Sequence, residues 1–266
     1  MDRVEINGQP ATASELGGLA FGGYGHFTSM QVHGFRVRGL DLHLDRLRRD
    51  SLELFGRPVD ADRVRAYLRH AVGGGPGDLS VQVNVFSRDD AAVVDGRPVD
   101  PDILVRTSAP VSPGSAPVRV RTTIHERILP QVKHVATLGL VHHWRQARLA
   151  GFDDVLFCDR GGFVSEGSIW NIGFLDGDGI VWPDAPALRG ITMQLVQAGL
   201  RGHGTGSSTR PVHVSELAGF QAAVLMNSIV PGQPIAAVDG VSFGRSSPLA
   251  RVVREAYERN QAQALE

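Results

Sequence analysis

The apolar positions of this 266-residue chain change rhythm several times, and each change marks an element. Val4 and Ile6 flank a polar residue and run into Asn7-Gly8, a turn-forming pair; stretches 26–32 and 35–37 flank a second turn, His33-Gly34. Such stretches joined by turn dipeptides predict short paired strands. From Leu42 the spacing lengthens: Leu42, Leu44, Leu47, Leu52 and Leu54 stand among charged residues at helical spacing, and Gly56-Arg57-Pro58 supplies a stop. A second amphipathic helix is predicted over 61–72, ended by Gly73-Gly74-Gly75-Pro76-Gly77, with strands at 79–86 and 103–107. This is an α+β module.

Residues 108–117, Ser-Ala-Pro-Val-Ser-Pro-Gly-Ser-Ala-Pro, hold the residue types that resist packing, so the domain boundary is expected there. The expected division is 1–107 and 118–266. The second part predicts a strand at 118–123, a helix over 138–150, and a hairpin of 155–159 and 163–166 about Asp159-Arg160-Gly161-Gly162. Strands are expected at 172–174, 180–182, 222–226 and 235–238, and helices over 192–200 and from Pro248 onward, where Leu249, Val252, Val253 and Tyr257 form a stripe. Residues 202–208 are expected to be a flexible loop.

Composition narrows the function classes. At 42% hydrophobic and 21% charged residues the chain can bury a sizeable core, and with a net charge of -1 no basic face for nucleic acid or an anionic membrane is expected. No apolar run reaches the length that crosses a bilayer, and Met1-Asp2-Arg3-Val4-Glu5 lacks a signal pattern, so a cytoplasmic protein is expected. Cys158, the single cysteine, excludes an intramolecular disulfide and a multi-thiolate zinc site, and reads as a small buried residue. Of the 27 lysines and arginines only one, Lys133, is a lysine. Guanidinium stays protonated near neutral pH and cannot serve as an amine nucleophile, so one retained lysine points either to amine chemistry or to a compositional bias with one survivor.

Several motifs are absent. Gly73 to Gly77 is not a Walker loop, Gly202 to Gly206 does not join a strand to a helix in a βαβ unit, and there is no Gly-x-Ser-x-Gly elbow. His142 and His143, adjacent on a helix, point about 100° apart and read as surface histidines rather than metal ligands. No metal is expected.

The segment from Lys133-His134 through Gly151-Phe152-Asp153-Asp154 and the hairpin to Val164-Ser165-Glu166-Gly167-Ser168-Ile169-Trp170-Asn171 resembles the fold-type IV (class IV) pyridoxal-phosphate enzymes. These are the branched-chain and D-amino-acid aminotransferases and 4-amino-4-deoxychorismate lyases. Leu42-His43-Leu44-Asp45-Arg46-Leu47, Leu188-Arg189-Gly190-Ile191-Thr192, and Met226-Asn227-Ser228 with Pro231-Gly232-Gln233-Pro234 resemble further family motifs, in family order over most of the chain. The resemblance implies a two-domain α+β fold, with a small α/β domain and a larger domain built on a pseudo-barrel of strands that carries the cofactor lysine. It implies pyridoxal 5'-phosphate as cofactor, held by Lys133 as a Schiff base, with Glu166 at the pyridine nitrogen. Arg46, Ile191, Thr192, Asn227 and Ser228 would hold the phosphate, Ile191 and Thr192 at a helix N-terminus. A homodimer is also implied.

On the substrate side the chain departs from its relatives. Phe27-Thr28-Ser29 replaces Phe-Glu-Thr or Tyr-Glu, Leu138 stands where branched-chain enzymes have tyrosine, and strand 79–86 offers Gln82 and Asn84 but no arginine. Phe27, Gln82 and Asn84 are the candidate pocket residues, and a simple branched-chain aminotransferase is disfavoured. The expectation is a transaminase acting on an amino donor and a 2-oxo acid. The alternatives are a pyruvate-releasing lyase, suggested by the Asn227-Ser228 loop, and a cofactor-binding protein without turnover, against which the intact Lys133 and Glu166 argue.

Overall fold

The structure is a computed structural model that describes residues 3–112, 114–177, 179–201, 205–244 and 248–265. Its contacts form two compact units. The first holds the chain up to Ser112 together with Val132–Ala136 and the C-terminal residues from Gln261; the second holds the rest up to Asn260.

In the first unit β1 (Arg3–Ile6) turns through Asn7 and Gly8, both at positive φ, into β2 (Gln9–Pro10). β3 (Gly25–Val32) is followed by β4 (Arg36–Arg38), α1 (Leu40–Phe55), α2 (Ala61–Val72), β5 (Leu79–Phe86), α3 (Asp90–Val94) and β6 (Asp102–Ser108). The strands build an antiparallel sheet in the order β2-β1-β6-β5-β3. Gly56, at φ 67°, ends α1 with its N–H donating to the Leu52 carbonyl, and Asp60 caps α2 by accepting from Asp62 and Arg63 N–H.

Three features differ from the sequence reading. The hairpin expected between 26–32 and 35–37 is reduced to one His33–Arg36 bridge, because β4 pairs with a C-terminal strand, Ala262–Ala264, more than 200 residues away. α3 was not expected; Asp89 caps its short turn by accepting from Ala92 N–H. Finally, the expected 118–266 domain carries Lys133, whereas residues 132–136 cluster with the first unit. β3 is the edge strand, and its open side takes the segment: Phe27 N–H donates to the Lys133 carbonyl (2.9 Å), Val135 N–H donates to the Gly25 carbonyl (2.9 Å), and His26 bridges to His134.

The second unit runs β7 (Val118–Ile124), α4 (Leu138–Leu149), β8 (Asp154–Cys158), β9 (Val164–Gly167), β10 (Asn171–Asp176), β11 (Gly179–Pro183), α5 (Ile191–Leu200), β12 (Gly206–Arg210), β13 (Ala222–Met226), β14 (Gln233–Val238), β15 (Val241–Ser242) and α6 (Leu249–Glu258). Its sheet follows the order β12-β11-β10-β13-β14-β7-β8-β9, with β15 on β14. The two ends of the sheet meet: Val164 N–H donates to the Val212 carbonyl (2.8 Å) and Val214 N–H to the Gly162 carbonyl (2.9 Å). That closure makes the expected barrel-like sheet, filled by Leu156, Val164, Ile172, Phe174, Leu225 and Ile235. A second core of Ile180, Trp182, Val224 and Met226 is covered by α5 and α6 through Val196, Leu200 and Val253.

The loop expected over 202–208 falls partly on residues 202–204, outside the described residues. Gly206–Arg210, however, is a strand running parallel to β11. Its Gly-Ser-Ser-Thr-Arg sequence lacks apolar alternation because it is largely exposed at the end of the sheet order, so pairing rather than burial defines it.

Candidate active site

The first unit gathers its predicted residues on both faces of β3. Strand alternation puts Phe27 and Ser29 on one face and His26, Thr28 and Met30 on the other. On the first face Phe27 stands opposite Asn84 and Ser29 opposite Gln82, and Gln82 Nε2 donates to Asn84 Oδ1 (2.8 Å). Lys133 Nζ lies 4.6 Å from the centre of the Phe27 ring. Lys133 and the three candidate pocket residues therefore share one local neighbourhood. No arginine stands on β5, but Arg106 of β6 is the cross-strand partner of Gln82 and is exposed.

On the other face α1 buries polar groups against the sheet. The spacing of its leucines predicts an apolar contact face, yet His43, Arg46, Asp50 and Ser51 are buried beside Leu44, Leu47 and Leu54, while Leu52 is exposed. His26 Nε2 and the Ser51 hydroxyl share a hydrogen bond of 2.8 Å, and the Thr28 hydroxyl and His43 Nδ1 share one of 2.6 Å. Burial lowers both histidines to about 3; Arg46 and Lys133 push His43 in the same direction. Arg46, only 4% exposed, is not the solvated arginine usual on an amphipathic helix. Asp50 accepts the Lys133 backbone N–H at 3.1 Å. Burial raises its carboxyl, opposed by that N–H and by Arg49 and Arg46.

In the second unit Glu166, on β9, is buried and both its oxygens are engaged. Oε1 accepts from Arg127 Nη1 at 3.0 Å, and Oε2 from the Leu188 N–H at 3.2 Å. Asn171 Nδ2 donates to the Leu188 carbonyl (2.8 Å), tying the start of β10 to the same turn. Ile191 and Thr192 open α5, are buried, and have no side-chain cap ahead of them. Gly190 precedes them where a Cβ would fall 1.9 Å from Asn171 Oδ1, so only glycine fits the turn. A cleft of about 270 Å³ borders this turn at Leu188, Arg189 and Met193. Asn227 and Ser228 follow β13; the Asn227 side-chain oxygen accepts from Ile229 and Val230 N–H (both 2.9 Å), so it shapes the loop that carries Ser228.

His43, Asp50, Arg127 and Asn171 escaped the sequence reading of the site. Asp50 lies four residues after Arg46, a spacing that puts both on one helix face, which was the one available signal. Arg127, six residues before Lys133, carried none.

A two-unit α+β fold with a lysine on a sheet edge and an uncapped helix start beside a buried glutamate defines the class: an enzyme of the fold-type IV aminotransferase architecture. The chain belongs to the amino-transferase class IV family, whose model matches residues 25–238. The structure of branched-chain aminotransferase from the archaeon Thermoproteus uzoniensis with norvaline matches with a TM-score of 0.86 at 20% identity, covering 97% of this chain and 94% of that one. Branched-chain aminotransferase from Escherichia coli matches at 0.85 and 16% identity, covering 100% and 99%. A hypothetical aminotransferase from Mycobacterium tuberculosis, in a PLP-bound form, matches at 0.79 and 21%, covering 96% and 97%. At these identities the structural likeness shows the fold. No curated protein matches the sequence. The family match favours amino transfer over the lyase alternative. Among the described residues no helix is long and apolar enough to cross a membrane.

Proposed function

We propose that the chain is a pyridoxal 5'-phosphate-dependent transaminase moving an amino group between an amino acid or other amine and a 2-oxo acid. The observation that carries this reading is Lys133: the one lysine of the chain is fixed through its main chain by Phe27 and Asp50, with its amine beside the Phe27 ring. The residues present suit this cofactor. A buried arginine, Arg46, and an uncapped helix start at Ile191 and Thr192 are anion-binding groups, and Ser228 adds a hydroxyl on a loop stiffened by Asn227. These would bind the phosphate.

When bound, the cofactor supplies a conjugated ring that accepts the electron pair left on a substrate carbon. Lys133 would hold the cofactor through its amine and, once freed, could carry a proton to and from the substrate carbon. Glu166, with its carboxylate held by Arg127 and Leu188, would pair with the ring nitrogen and favour its protonated form. Phe27, Gln82 and Asn84 orient the substrate. Tight anchoring of the phosphate keeps the reacting atoms in register through both half-reactions.

Three wider readings belong to this proposal. Residues 1–107 and 118–266 would supply the small and large domains joined by 108–117, apart from 132–136 and the residues from Gln261, which cluster with the first unit. The protein works in the cytoplasm, in keeping with a single buried cysteine. It is a homodimer, supported by α4: Ala147 is its one buried residue, while Leu138, Val141 and Leu149 stand exposed.

A single turnover with an amino donor and no 2-oxo acid tests the reading. Stoichiometric release of the donor's oxo acid, with pyridoxamine 5'-phosphate left on the protein, is expected. Pyruvate release from aminodeoxychorismate without that conversion would replace transamination by the lyase.

A further inference from the structure

The Arg127–Glu166 pair is the most deeply buried ion pair among those described. The two side chains are 8% and 9% exposed, and Arg127 Nη1 lies 3.0 Å from Glu166 Oε1. The same Nη1 donates to the Pro130 carbonyl at 3.0 Å, which fixes the guanidinium independently of the glutamate. Buried ion pairs are weak contributors to stability, because desolvation offsets most of their attraction. Holding this one in place calls for another account.

We propose that Arg127 is a positioning residue that keeps the proton shared between Glu166 and the cofactor's ring nitrogen on the nitrogen. The inference rests on the reading of Glu166 as the ring-nitrogen partner and adds to it the residue that controls that partner. The argument is one of distance. A proton on the carboxylate would lie close to a guanidinium that is 3.0 Å from Oε1, whereas the same proton on a ring nitrogen paired with that carboxylate would lie farther from the cation. The cation therefore penalises the neutral acid more than the protonated ring. Leu188 N–H, donating to Oε2, acts in the same sense, since each donor to a carboxylate favours its ionised form. With both contacts in place Glu166 is held as an anion in a fixed plane, and the bond N–H remains on the ring. Removing the cation lets the proton move from the ring nitrogen to the glutamate oxygen, with no other atom or electron transferred.

The test loads the protein with pyridoxal 5'-phosphate labelled with 15N in the ring and reads the nitrogen chemical shift, which reports protonation without turnover. Parent protein should show the protonated shift, and Arg127→Lys, which keeps the charge, should stay close to it. Arg127→Met should move the shift toward the unprotonated value, as should Glu166→Gln. A parent-like shift in Arg127→Met alongside a moved one in Glu166→Gln overturns the inference and leaves the glutamate's role standing. A parent-like shift in Glu166→Gln means that the glutamate itself was misassigned. If Arg127→Met does not fold, Arg127→Met/Glu166→Gln, which removes both buried charges, takes its place. Its shift should equal that of Glu166→Gln alone, and a difference between them shows the arginine acting on the ring by another route, which also overturns the proposal.

Discussion

The Lys133 backbone N–H donates to Asp50 Oδ2 across 3.1 Å, so a buried carboxylate on α1 holds the main chain that presents the chain's one lysine. The lysine's place is thus set from beneath by a residue 83 positions earlier in the sequence.

Asp50→Ala removes the acceptor and leaves a partly buried N–H without it, which should cost roughly 1–3 kcal/mol. Asp50→Asn keeps an acceptor oxygen. Burial raises the Asp50 carboxyl, so its ionised form opposes folding above the ordinary aspartate range, and the asparagine variant should be at least as stable as the parent at pH 7. Hydrogen exchange at residues 132–136 should quicken in the alanine variant alone. Equal protection in the two variants would remove Asp50 from this role.

Arg46→Ala should weaken pyridoxal 5'-phosphate binding by about 1.5–3 kcal/mol, or roughly 10- to 150-fold in Kd, the usual range for a charge-assisted contact. The measurement is cofactor retention on dialysis against increasing phosphate. Retention matching the parent's places the phosphate elsewhere.

His26 and His43 predict acid sensitivity. Both are held neutral, at about 3 against an ordinary 6.5, so the unfolded chain binds their protons first. Their support is complete above about pH 6.5 and is lost progressively as pH falls toward 3. His43→Asn keeps a hydrogen-bonding partner for Thr28 and cannot titrate. Its Tm should fall less steeply than the parent's between pH 6.5 and 4.5, and parallel slopes would contradict the assignment.

Leu138 and Val141 are 83% and 53% exposed on α4, so an aspartate at either position can keep its carboxylate in water. Val141→Asp should therefore leave the fold intact and convert a dimer to a monomer in light scattering. A dimer that survives both Leu138→Asp and Val141→Asp assembles through another face.

Local rules in the sequence determine much of this protein. The leucine spacing of α1 with Gly56 beyond it, the capped α2, and the alternation of β5 are each satisfied by near neighbours, so the sequence predicts them within a few residues. The lone lysine and the order of the glycine and threonine motifs likewise mark the family. Tertiary structure decided the rest, because partners far apart in sequence leave no periodic trace. His43, Arg46 and Asp50 have the composition of a solvated helix face, and only the packing of α1 on β3 turns them into a buried polar layer. Gly206–Arg210 and Ala262–Ala264 become strands because an open strand edge is offered to them. Arg127 and Glu166, 39 residues apart, find each other only once β9 and the segment before Lys133 are folded, since a charge written in sequence does not show whether water or another charge will satisfy it.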